Sequence, residues 1–101
     1  MALFNKENVE TNSEEMSKIM NLYAIKDNLS GFASPIPFPN EATAIRWFEV
    51  QMKENPVMSY SPADYELFYL GKFNIGNGAL YYNDAETRCV KKGAEYGKVS
   101  D

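Results

Sequence analysis

Three prolines at alternate positions, Pro35, Pro37 and Pro39 in FASPIPFPN, constrain the fold more than any other stretch of the chain. Proline donates no backbone hydrogen bond and fixes φ, so this stretch is neither a helix interior nor a central strand. It reads as a rigid extended connector between two different elements. Beyond it, Asn40 is an N-cap and Glu41 places a negative charge on the positive end of the helix dipole. In EATAIRWFEVQMKEN the residues Ala44, Ile45, Phe48 and Met52 share one face at helical spacing, while Glu41, Thr43, Glu49 and Lys53 lie outside it. Trp47 and Val50 flank the apolar stripe and widen it. Asn55-Pro56 ends the helix, because the residue before proline disfavours the α conformation.

Before the prolines, MNLYAIKD (20–27) carries Leu22, Tyr23, Ala24 and Ile25 between polar ends and reads as a strand. DNLSG follows as a turn. After the helix and a linking stretch PVMSYSPAD, the segment YELFYLGKF alternates Tyr65, Leu67 and Tyr69 with Glu66, Phe68, Leu70 and Lys72. Period two with aromatic enrichment predicts a second strand. Asn77-Gly78 is a hairpin signal, and ALYYN (79–83) is the return strand.

The expected fold class is α+β: a small mixed or antiparallel sheet of about three strands, covered on one face by one main helix. A right-handed crossover through the helix would set the first two strands parallel. Residues 1–18 read as a polar arm, with a helical turn or two starting near Ser13 and including Met16, Ile19 and Met20. Residues 19–83 form the single domain. Residues 84–101 read as a tail, a loop followed by a loose helical stretch.

One helix covers one face, so only one row of rings in 65–73 meets it and the opposite face stays open to an arm or a homodimer partner. No run of about 18 apolar residues exists, so no membrane span is expected, and the N-terminus has no long apolar stretch or small-residue cleavage site, which argues against secretion. The single Cys89 closes no disulfide and builds no zinc site alone. With no histidine, Ser-His-Asp and Cys-His catalysis are excluded. Asp64 and Glu66 read as exposed strand-edge acids, and GNG lies between strands where no phosphate loop forms. No enzyme and no cofactor are therefore expected.

Two binding readings remain. In the first, Tyr65, Tyr69, Tyr81 and Tyr82 stack the bases of a single-stranded nucleic acid, with Lys26, Arg46, Lys72, Lys91 and Lys92 at the phosphates and Trp47 reaching the same surface. In the second, the aromatic face docks onto another protein or onto itself. The net charge of −4 and pI near 4.8 favour protein over nucleic acid.

The segments LYAIKD (22–27), PIPFPNEATAIRWF (35–48), SPADYELFYLGKF (61–73) and Gly78-Ala79-Leu80 resemble, in that order, the small nonstructural protein family of microviruses, the gokushovirus-like single-stranded DNA phages. The resemblance covers about 60 residues. It implies a nonstructural phage protein of the infected bacterial cytoplasm, commonly described as a DNA-binding or DNA-replication accessory factor. It supplies no active site to carry over. A phage protein of this size and acidity also fits an inhibitor of a host protein, so the resemblance leaves three targets: single-stranded DNA, a replication protein or a host-defence protein.

Overall fold

The computed structural model of the chain describes residues 18–97. The expected polar arm and its helical turn near Ser13 lie outside those residues, apart from Ile19 and Met20, which belong to a strand. That strand, β1 (Ile19–Asp27), is followed by β2 (Gly31–Phe32), β3 (Ile36–Phe38), helix α1 (Glu41–Glu54), helix α2 (Pro56–Tyr60), β4 (Tyr65–Asn74), β5 (Leu80–Tyr82) and β6 (Arg88–Lys92). Short 3₁₀ turns occupy Pro62–Asp64, Asp84–Glu86 and Gly93–Tyr96.

Among the described residues the sheet has six strands and every pairing is antiparallel, which corrects both the expected three strands and the expected parallel crossover. The reason lies in the connector. β2 and β3 run back along β1, pairing Lys26 with Phe32 and Tyr23 with Ile36, and so return the chain to the other end of β1 before α1 begins. The 14-residue helix then crosses the sheet a second time and delivers β4 beside the end of β1, where Tyr65 faces Asp27. Two traversals before β4 make its pairing with β1 antiparallel. Pro37 is tolerated because β3 is an edge strand opposite Leu22, with no partner on its outer side among the described residues.

The expected tail supplies a further correction. Arg88–Lys92 pairs with the first half of β4, Glu66 facing Lys92 and Tyr69 facing Arg88, while β5 pairs with the second half, Gly71 facing Tyr82. The sheet is thus four strands wide, with each outer edge split into two short pieces around the long β1–β4 pair. Short, broken edges limit the length of unpaired backbone offered to a foreign strand.

Asn40 caps α1 as expected, its Oδ1 accepting from the Thr43 N–H at 2.9 Å. Asn55 caps α2 in the same way, accepting from the N–H groups of Val57 and Met58, with Pro56 at the first position where no N–H is needed. Ala44, Phe48 and Met52 of α1 are buried against Tyr23, Ile25, Tyr65, Leu67 and Tyr69. Complete burial of side chains such as Phe48 and Leu67 contributes about 1.5–3 kcal/mol each. The C-terminal 3₁₀ turn closes this core: Tyr96 packs edge-on to Phe48 at 5.9 Å and its hydroxyl donates to Glu49 at 3.2 Å. That closure needs a glycine at 93, because a Cβ there would collide with the carbonyl oxygens of Pro62 and Tyr65.

Candidate nucleic-acid interface

Tyr65 and Tyr69 are the rings that meet the helix. They are 8% and 7% exposed, and they do not belong to the open face. That face carries Phe68, Phe73 and Phe32 instead, by the alternation of β4 and the pairing of Phe32 with Lys26.

A bulge changes the second half of β4. Leu22 pairs with Gly71 and Tyr23 with Tyr69, so Leu70 is the unpaired extra residue. The alternation resets there, and Lys72 comes to the same side as Tyr69 instead of the side shared by Glu66 and Phe68. Its ammonium lies 6.0 Å from the Tyr69 ring centre and donates to Asn21 Oδ1 at 3.1 Å. Gly71 permits β5 to approach, since a Cβ would strike the Tyr81 carbonyl oxygen. A second bulge, in β6, leaves Val90 between Cys89, paired with Phe68, and Lys91, paired with Leu67. Arg88 lands opposite Tyr69, its guanidinium 4.7 Å from that ring's centre.

The two bulges therefore bring a lysine and an arginine from different strands to one tyrosine. Around it opens a cleft of about 500 Å³ bounded by Asn21, Tyr23, Glu41, Lys72, Glu86 and Arg88. It adjoins a second cavity of about 600 Å³, which shares Tyr69, Lys72 and Glu86 and extends to Ile19, Leu80, Tyr81 and Tyr82. Together they make one groove: cations and carboxylates at one end, exposed rings at the other, Tyr69 as floor. Tyr81 is 52% exposed and Tyr82 70% exposed.

Glu41 organises the polar end. Its Oε1 accepts from the Tyr23 hydroxyl at 3.1 Å and from Arg88 Nη2 at 2.6 Å. Burial, then the charge of Glu41 and the hydrogen bond to it, push the Tyr23 hydroxyl up to about 12, so Tyr23 remains a neutral donor at pH 7. The Arg88–Glu41 pair is half exposed on both sides, and pairs in such settings contribute about 0–1 kcal/mol. A phosphate offers Arg88 a comparable charge-assisted contact, so exchanging one anion for the other costs little.

Of the residues singled out in the sequence, Tyr69, Lys72, Tyr81 and Tyr82 line this groove. The others lie elsewhere. Lys26 sits on the opposite face, 5.9 Å from Phe32 and 5.8 Å from Phe68. Arg46 is exposed on α1, and Trp47 packs on Phe38 at 5.4 Å. Tyr65 is buried, Lys91 pairs with Glu95 at 3.0 Å, and Lys92 lies opposite Glu66. Sequence reasoning gave no part to Asn21, Tyr23 or Glu41 in a site and placed Arg88 in a solvated tail. Only the strand pattern in RCVKK hinted otherwise, and its bulge obscures the alternation.

A family model described as Phage ORF5 protein matches residues 20–96. The chain belongs to this family. The match spans every residue that bounds the groove except Ile19, so the groove is built within the part of the chain that defines this ORF5-family domain. No curated protein and no solved structure matches the chain. Among the described residues no helix is long and apolar enough to cross a membrane, and no group of His, Cys, Asp and Glu has the spacing to hold a metal.

Proposed function

We propose that this phage ORF5-family protein is a non-enzymatic accessory factor, of the microvirus nonstructural type, that binds single-stranded DNA in the infected cell's cytoplasm through the groove over Tyr69. The observation that carries the reading is the convergence of Lys72 and Arg88 on one ring beside the exposed Tyr81 and Tyr82. Cations spaced along a groove follow a phosphate backbone, and rings at its rim stack bases at about 1–3 kcal/mol per base. Both components are needed for sequence-tolerant binding, and both are present within one groove.

The acidic pI weighs less than the total suggests. Residues 1–17 hold Glu7, Glu10, Glu14 and Glu15 against Lys6, which accounts for three of the four net negative charges. The part of the chain that carries the groove is close to neutral, with acids and bases nearly balanced.

Fluorescence anisotropy of a labelled oligo-dT in a salt series tests the reading. Affinity should fall as salt rises, and the Lys72→Gln, Arg88→Gln double variant should bind at least about 10-fold more weakly with a slope reduced by roughly 1.4, two single-strand phosphates at about 0.7 each. Binding that ignores salt, or that the double variant leaves unchanged, rejects it.

A further inference from the structure

The sheet face opposite α1 meets the groove only along the β5 edge, at Leu80 and Tyr82. Strand alternation and register place Met20, Leu22 and Ala24 of β1, Phe68 and Phe73 of β4, and Leu80 and Tyr82 of β5 on it. Among the described residues no helix packs on this side. Leu80 is 67% and Phe32 52% exposed, and Leu22, Leu70, Leu80 and Tyr82 line a largely apolar pocket of about 210 Å³ at the β5 edge, which Lys72 and Tyr81 of the groove also bound. The charges that the register assigns to this face are confined to one cross-strand row at one end: Lys26 opposite Glu66, and Glu66 opposite Lys92.

We propose that this face is a homodimer interface, occupied by the same face of a second copy of this chain. The inference goes beyond the DNA-binding reading and does not depend on it. The long β1 and β4 and the shorter edge pieces, spaced about 4.8 Å apart at about 3.3 Å per residue, present roughly 500 Å² per copy. Each face is thus within the upper range of what a monomer leaves exposed as one patch, and two copies bury about 1,000 Å², the lower bound for a specific interface. A two-fold axis running across the strands at the middle of the face sets the charged rows at opposite ends of the interface, so neither copy's Lys26–Glu66–Lys92 row meets its equivalent. Each row lies at an end of the interface, where charges are hydrated, while Leu22 and Phe68 lie nearest the centre. The part of the groove between Lys72 and Arg88 over Tyr69 opens on the helix side of the sheet and stays free in both copies, while Leu80 and Tyr82 at the β5 edge are shared with the interface.

Sedimentation equilibrium of the full chain without DNA, over a wide concentration range, tests the proposal. The expected mass is about twice 11.5 kDa at micromolar concentrations. Phe32→Lys and Leu80→Lys, both at exposed positions that a monomer accommodates, should each weaken association by about 30-fold or more, while Tyr60→Lys, at an exposed ring remote from this face, should not. Circular dichroism and thermal melts of each variant confirm that it folds. A wild-type chain that stays monomeric throughout, or a dimer that survives both face substitutions, overturns the proposal. So does a monomer whose oligo-dT binding is lost in Phe32→Lys and kept in Tyr81→Ala, which would make the face a nucleic-acid platform and would equally contradict the groove.

Discussion

Arg88 reaches across from the last strand to place its Nη2 2.6 Å from Oε1 of Glu41, tying β6 to the first turn of α1 over the ring of Tyr69. In the proposed binding mode a DNA phosphate takes the place of the Glu41 carboxylate. Glu41→Gln should therefore strengthen oligo-dT binding several-fold at low salt and steepen the salt dependence by up to about 0.7, because Arg88 is released for one further phosphate. Anisotropy at four salt concentrations measures both quantities. An unchanged slope means that Arg88 does not reach the nucleic acid.

Burial of Tyr23, with the same carboxylate beside it, sets an alkaline limit on stability. Tyr23 is raised from an ordinary 10 to about 12 in the folded chain, chiefly by burial and then by Glu41. A folded value above the unfolded one gives stability that is fully present below pH 10 and lost as pH rises from there through about 12. Urea unfolding at pH 8.5 and at pH 11 should show a larger loss for the wild type than for Tyr23→Phe, which has no proton to lose. Tyr96, shifted the same way by burial and by its bond to Glu49, should behave likewise in Tyr96→Phe.

Gly93→Ala tests how the C-terminal residues contribute to the fold. An added methyl meets two backbone carbonyl oxygens, which cannot rotate away as a side chain can, and the Tyr96 ring that follows packs on Phe48. The variant should lose about 2–4 kcal/mol, within the range for overpacking and strain. Denaturant titration reads the loss directly. A change below about 0.5 kcal/mol would mean that the 3₁₀ turn at 93–96 is not part of the cooperative unit.

Asn40→Ala removes a side chain whose Oδ1 accepts from both the Thr43 N–H and the Thr43 hydroxyl, at 2.9 and 2.8 Å. Loss of such a cap costs about 1 kcal/mol. Since α1 also carries Glu41 at the groove, a shift in oligo-dT affinity accompanying the loss would show that the frayed turn releases Arg88.

The helix, its caps, β1, β4 and the Asn77-Gly78 turn were legible because each is fixed by local chemistry: a capping side chain, a 3.6-residue stripe, an alternating aromatic run, a pair of turn formers. The order of strands in space was not. FASPIPFPN was read correctly as non-central, but extended residues beside a strand can pair with it through whichever backbone groups proline leaves, and the resulting edge strands reverse the direction in which β4 arrives. The site escaped for a related reason. A one-residue bulge at Leu70 moves Lys72 across the sheet, and nothing in LFYLGKF signals it except Gly71, whose role depends on how closely the Tyr81 backbone passes. Tyr65 and Tyr69 were assigned to an open surface because alternation defines two rows without saying which one the helix covers.

The most direct test of the groove is a ¹⁵N-HSQC titration of the full chain with a short oligo-dT at low salt. Binding in the groove predicts the largest shifts at Asn21, Lys72, Tyr81 and Arg88, with the outer surface of α1 around Arg46 and Lys53 unmoved. Shifts confined to the Leu29, Val57 and Tyr60 end of the molecule, or none at millimolar oligonucleotide, would contradict the account.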